Sequence, residues 1–130
     1  MKVQLKDFQT TCLAELYRRF RLAYREVQGD GDRQSIVLSS PTGSGKTLIA
    51  TALIEQIPEG NGRYAGLNNV SFLWLSDQPE LNEQSRRKIL ATSNVLGVSD
   101  LVTIDNTYDQ AETEARRVKL DEANLDQLFA

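Results

Sequence analysis

No histidine occurs in the 130 residues, and Cys12 is the one cysteine. A disulfide within the chain and a Cys/His zinc site are therefore both excluded. Basic residues do not dominate either: 15 Lys and Arg stand against 18 Asp and Glu, for a net charge of -3 and a pI near 5.0. That balance gives no overall electrostatic signature for nucleic acid, so such a partner has to be argued from motifs. No apolar run approaches the roughly 20 residues of a membrane span, and the start lacks the basic-then-apolar layout of a signal peptide. A cytoplasmic chain with no membrane partner is expected, and no internal repeat is visible. What is present, 40% hydrophobic and 25% charged residues, suits one soluble domain over 1–130.

The chain is organised around Ser40-Pro41-Thr42-Gly43-Ser44-Gly45-Lys46-Thr47. This stretch follows the short apolar run 35–39 and opens another, Leu48 to Ile54, so it reads as a turn between a buried strand and a helix. A phosphate fits such a turn. The glycines let successive backbone N–H groups face an anion, Lys46 reaches the β and γ phosphates, and the Thr47 hydroxyl binds Mg²⁺. Gly45, Lys46 and Thr47 match the end of G-x-x-x-x-G-K-S/T, whereas Ser40 replaces its first glycine. A Gly/Ser/Pro-rich surface turn is the plainer reading, and the flanking elements weigh against it.

Ahead of the loop, Phe8, Cys12, Leu16, Phe20 and Tyr24 recur at every fourth position, with Leu13, Tyr17 and Val27 beside them. The period predicts an amphipathic helix from Phe8 to about Gln28, capped by Asp7 and ended by Gly29 to Asp32, within an N-terminal region 1–34. Cys12 then belongs to the core. Arg18, Arg19, Arg21 and Arg25 form a solvated face, partly paired through Glu15 and Arg19. After the loop, a helix apolar nearly all round runs from Lys46 to Ile57, where Pro58 stops it, and 59–69 is a loop. Val70 to Leu75 reads as a second strand and Leu101 to Ile104 as a third. Between them Asp77 caps a helix that has Pro79 in its first turn, Glu80 closing a capping-box-like arrangement and Glu83 paired with Arg87, and that ends near Thr92. In the charged tail 106–130, Ala111, Ala115 and Val118 have helical spacing, and Leu125, Leu128 and Phe129 suit docking. Alternating strands and helices predict an α/β fold of the P-loop NTPase type, three layers α/β/α about a parallel sheet.

Pro41 to Thr47 resembles the first motif of superfamily-2 helicases and translocases, in which the opening glycine is commonly absent. Leu5-Lys6-Asp7-Phe8-Gln9 looks like the upstream glutamine motif of the same ATPases, in the Leu-x-x-Tyr/Phe-Gln form of type III restriction helicase (Res) subunits. The resemblance implies that the Gln9 amide donates and accepts hydrogen bonds at the adenine edge. On local grounds alone, Gln9 is a good helix former and nothing more. Glu80, Leu81 and Gln84 resemble the second helicase motif, which implies a nucleic-acid backbone contact near Ser76 and Asp77. Such contacts position a strand without reading its sequence. The likeness covers about residues 5 to 109 and implies an incomplete RecA-like lobe.

Two of the predicted strands end in Asp. Asp77 is followed by Gln78 and Asp105 by Asn106, so neither brings the adjacent Glu that positions the attacking water in a Walker B site. Asp105 to Asp109 looks instead like the segment ahead of that motif in restriction-type proteins. No paired acidic motif, Ser-Ala-Thr coupling motif or second lobe is expected. The chain then reads as the N-terminal part of an ATP-dependent helicase or translocase, a fragment or a truncated gene product. It is expected to bind ATP and Mg²⁺ through Gln9, Pro41, Thr42, Gly43, Ser44, Gly45, Lys46 and Thr47, with Lys46 and Thr47 acting on the phosphates. The implied partners are DNA rather than RNA, the rest of the helicase and a restriction or modification protein. Weak nucleotide binding and negligible hydrolysis are expected of the isolated chain. The alternatives are a small P-loop kinase, with Asp77 or Asp105 as its acid and Arg116 and Arg117 in a lid, and a non-catalytic nucleotide-binding or interaction module.

Overall fold

Three helices carry the architecture of the computed structural model, which describes residues 1–41 and 43–104. Helix α1 spans Asp7–Asp30, α2 Lys46–Glu59 and α3 Pro79–Thr92, and a 3-10 turn follows at Val98–Asp100. α2 lies in the middle, packed against α1 on one side and α3 on the other. That position explains its nearly all-round apolar surface: Ile49, Thr51, Ala52, Glu55 and Ile57 are all buried. Tyr17 of α1 and Ile89 of α3 complete the apolar core from either side. Each large apolar side chain so buried contributes about 1.5–3 kcal/mol.

The helix ends differ from those expected, each for a local reason. Lys6, not Asp7, is the N-cap of α1, and its backbone N–H donates to Gln9 Oε1 at 2.9 Å. Gln9 thus satisfies the helix entry from within. Pro58 lies inside the last turn of α2 and does not stop it; the helix runs on to Glu59, and the Gly60 N–H closes on the Gln56 carbonyl at 2.8 Å. A proline this close to the end removes one helical hydrogen bond without ending the turn. Gln78 caps α3 in place of Asp77, with Pro79 at the first helical position.

Glu55 fastens α2 to the end of α3. Its carboxylate accepts from the Ser93 hydroxyl at 2.5 Å, the Asn94 N–H at 3.0 Å and the Met1 amino terminus at 3.0 Å. Burial alone would raise its pKa, but the hydrogen bonds from Ser93 and the amino terminus outweigh that and hold it below the ordinary carboxylate range. The Lys2 N–H also donates to the Thr92 carbonyl at 2.7 Å, so the chain start lies along this junction.

No strand or sheet forms among the described residues, where the one isolated β-bridge joins Gly60 and Ala65. This corrects the expected three-layer α/β/α fold with a parallel sheet, and the RecA-like lobe with it. The reason lies in where hydrogen bonds come from. A helix closes them within its own segment, whereas a strand requires another strand beside it. The runs 36–39, 70–75 and 101–104 have no such strand among the described residues, and they leave apolar side chains in water: Val37 is 88% exposed, Leu75 79% and Ile104 61%. The expected tail helix and the segment Asp105 to Asp109 lie outside the described residues. No described helix is long and apolar enough to cross a membrane.

Candidate nucleotide-binding site

Gly43 and Gly45 both take φ of 85°, a left-handed conformation that side chains with a Cβ rarely adopt. Gly45 is the N-cap of α2, and no side chain caps that end. The first helical bond runs from the Ile49 N–H to the Gly45 carbonyl at 2.9 Å, so the N–H groups of Lys46, Thr47 and Leu48 precede the intrahelical ladder. Open donors and a helix dipole together favour an anion there.

The loop is closed on itself. The Ser44 N–H donates to the Pro41 carbonyl at 3.2 Å, and the Ser40 and Ser44 hydroxyls meet at 2.5 Å. Lys46 Nζ donates to the Ser40 carbonyl at 3.0 Å. Thr47 stands in the first turn of α2, its carbonyl accepting from the Thr51 hydroxyl at 2.7 Å. Thr42 lies outside the described residues.

Gln9 reaches this loop from α1. It is only 6% exposed, and its Nε2 donates to the Ser44 carbonyl at 3.1 Å across 35 positions of sequence. With Oε1 engaged by Lys6, both ends of the amide are occupied. Gly45 packs directly against it: a Cβ at that position would collide with Gln9 Nε2. Gly45 is favoured by its backbone angle, and a side chain there would have to displace the Gln9 amide.

On the other side, a cavity of about 320 Å³ is lined by Thr47, Ser76, Leu81, Gln84, Ser85 and Lys88. Ser76 and two residues of the helicase-like segment, Leu81 and Gln84, thus share a cavity with the Mg²⁺ candidate. Ser76 Oγ is itself engaged, 2.6 Å from Asn82 Oδ1 and 3.0 Å from the Gln78 carbonyl. Asp77 is exposed and does not line this cavity. Among the described residues no cluster of three or more His, Cys, Asp or Glu is placed to hold a metal. The loop fits a nucleotide triphosphate in its donors, while the described residues give Mg²⁺ one hydroxyl, Thr47, and no preformed carboxylate cage.

Two features escaped the sequence reading. The first is a carboxylate pair: the chain does hold adjacent acids, Asp121 and Glu122, in Leu120-Asp121-Glu122-Ala123-Asn124. They correct the expectation that paired acids are absent. A search tied to continuous apolar runs passes over them, because Lys119 interrupts Val118 and Leu120. They lie outside the described residues. The second is Arg21, which is not on a solvated face as expected. It is partly buried, and its Nη1 donates to the Ala65 carbonyl at 3.0 Å. Arg18 and Arg19 do behave as expected, both bonding Glu15 and holding its carboxyl down at about 2.

Compared with known proteins, residues 2–124 match the model of the family described as type III restriction enzyme, res subunit. No curated protein and no solved structure matches the chain.

Proposed function

The chain belongs to the type III restriction enzyme res-subunit family, and from that premise we propose that it binds Mg²⁺ and ATP through Ser40 to Thr47 for an ATP-dependent helicase or translocase acting on DNA beside other restriction subunits. The observation that supports this reading is the meeting of Gln9 with the loop at Ser44 and Gly45, so that the amide proposed to read adenine lies beside the loop proposed to hold the phosphates.

Binding is an exchange of partners. Lys46 leaves the Ser40 carbonyl for phosphate oxygens, trading a neutral acceptor for an anionic one, and such charge-assisted bonds are about twice as strong. The open N–H groups at the start of α2 turn to the same phosphates. Gln9 releases the Lys6 N–H or the Ser44 carbonyl to meet the adenine edge, since its two functions are otherwise spent. The Thr47 hydroxyl would hold Mg²⁺, which would supply neutralising charge for the phosphates. Asp121 is assigned to the metal side and Glu122 to the attacking water, the division of work that adjacent acids have in such ATPases.

Titration with a fluorescent ATP analogue tests the site. Lys46→Ala is expected to weaken binding about ten- to a hundredfold, the value of one hydrogen bond to a charged group. Equal affinity in the two proteins overturns the reading. In the same titration Asp121→Asn is expected to raise the Mg²⁺ concentration needed for half-maximal binding, and an unchanged requirement removes Asp121 from the metal.

A further inference from the structure

The far half of α1 and the loop after α2 build a second polar site. The Arg21 guanidinium lies 5.2 Å from the ring centre of Tyr64 and 5.8 Å from that of Tyr24, and Arg63 stands 5.5 Å from Tyr64 on its own loop. That loop is tied locally: Asn61 Oδ1 accepts the N–H groups of Arg63 at 2.8 Å and Tyr64 at 2.7 Å, and Tyr64 meets buried Tyr17 edge-on at 5.6 Å. A cavity of about 260 Å³ is lined by Arg21, Tyr24, Arg25, Gln28 and Tyr64, with Arg63 outside its lining but against Tyr64.

The charges here differ from the other arginines of the helices. Arg18 and Arg19 pair with Glu15, and Arg86 and Arg87 with Glu83. Arg21, Arg25 and Arg63 have no carboxylate partner among the described residues. Three guanidiniums without such partners, one of them beside two tyrosine rings, concentrate positive charge on a chain whose net charge is negative. Because Arg21 already covers the ring faces on which a base would stack, the ligand it suits is a phosphate and not a base.

We propose that this pocket, with Arg63 beside its Tyr64 wall, is a nucleic-acid contact separate from the segment near Ser76, gripping the phosphodiester backbone of a DNA strand through Arg21, Arg25 and Arg63. It rests on the reading of the chain as part of a DNA motor. Arg21 lies on the same helix as Gln9, roughly 18 Å along its axis, so one rigid element joins strand contact and nucleotide loop.

Fluorescence anisotropy with the full chain and a short labelled single strand tests it. Arg25 and Arg63 are exposed, so Arg25→Glu with Arg63→Glu is expected to keep the fold and the affinity for the ATP analogue while weakening strand binding about tenfold near 0.1 M salt. The slope of log affinity against log salt is expected to fall by about 0.7 for each arginine–phosphate pair removed. Arg21→Lys, which keeps the charge and loses the planar stack, is expected to weaken the strand less than the double reversal. An abasic strand is expected to bind within about threefold of a normal one, since phosphates carry the contact. Unchanged affinity and slope in the double variant overturn the proposal. So does displacement of the strand by low millimolar inorganic phosphate, which would make this a site for free phosphate. A chain that binds the ATP analogue but no strand overturns it too, and leaves the nucleotide reading standing.

Discussion

Gln9 holds the α1 entry with one end of its amide and the phosphate loop with the other. Gln9→Ala leaves the Ser44 carbonyl and the Lys6 N–H without these partners in a largely buried place, and is expected to cost about 1–3 kcal/mol in chemical denaturation. A change under a few tenths of a kcal/mol shows that water replaces the amide. Tyr17 offers the opposite case: it is 2% exposed, and its hydroxyl has no hydrogen-bond partner among the described residues. Tyr17→Phe removes that orphan and keeps the ring against Tyr64, so stability is expected to hold or rise by up to about 1 kcal/mol, read as an unchanged or higher Tm. At this scale the candidate loop was legible because a turn proposed to hold phosphate restricts residue types, while Gln9 was singled out by resemblance and not by spacing. What Gln9 and Lys46 bond to was not legible, since the Ser44 and Ser40 carbonyls are backbone groups that every residue type offers alike.

The helices were legible as elements because their period is local: Phe8 to Tyr24 at every fourth position suffices to place α1. Their ends were less so, since Lys6 and Gln78 cap by backbone geometry where Asp7 and Asp77 offered a side chain. Glu55 shows what element packing adds. Its lowered pKa means that the carboxylate contributes stability above its unfolded value of about 4.3, and that this is lost as pH falls through the lower folded value. Glu55→Gln is expected to flatten the acid side of the stability curve measured by urea unfolding, while leaving the α2–α3 junction partly bonded. An acid limb as steep as in the parent would mean that another carboxylate governs it.

For the whole molecule, the apolar runs taken as strands failed as structure and not as composition. Their side chains are apolar as the sequence shows, but Val37 and Leu75 stand in solvent because sheet formation depends on neighbours that no single run can supply. A surface of this kind binds apolar dyes and promotes association. Val37→Lys with Leu75→Lys is expected to change unfolding free energy by less than about 0.5 kcal/mol while reducing dye binding and concentration-dependent light scattering. A loss of several kcal/mol would show those residues to be packed.

The self-closed form of the loop has a consequence for signalling through the chain. Lys46 holds Ser40, Ser40 meets Ser44, Ser44 holds Gln9, and Gln9 holds Lys6, so an unbroken relay of polar contacts leads from the first residue of α2 to the entry of α1. A phosphate that drew Lys46 away, as proposed, would open this relay at its first link. If a phosphate occupies the loop as proposed, this run of contacts ends at the first turn of α1, the helix whose other half carries Arg21.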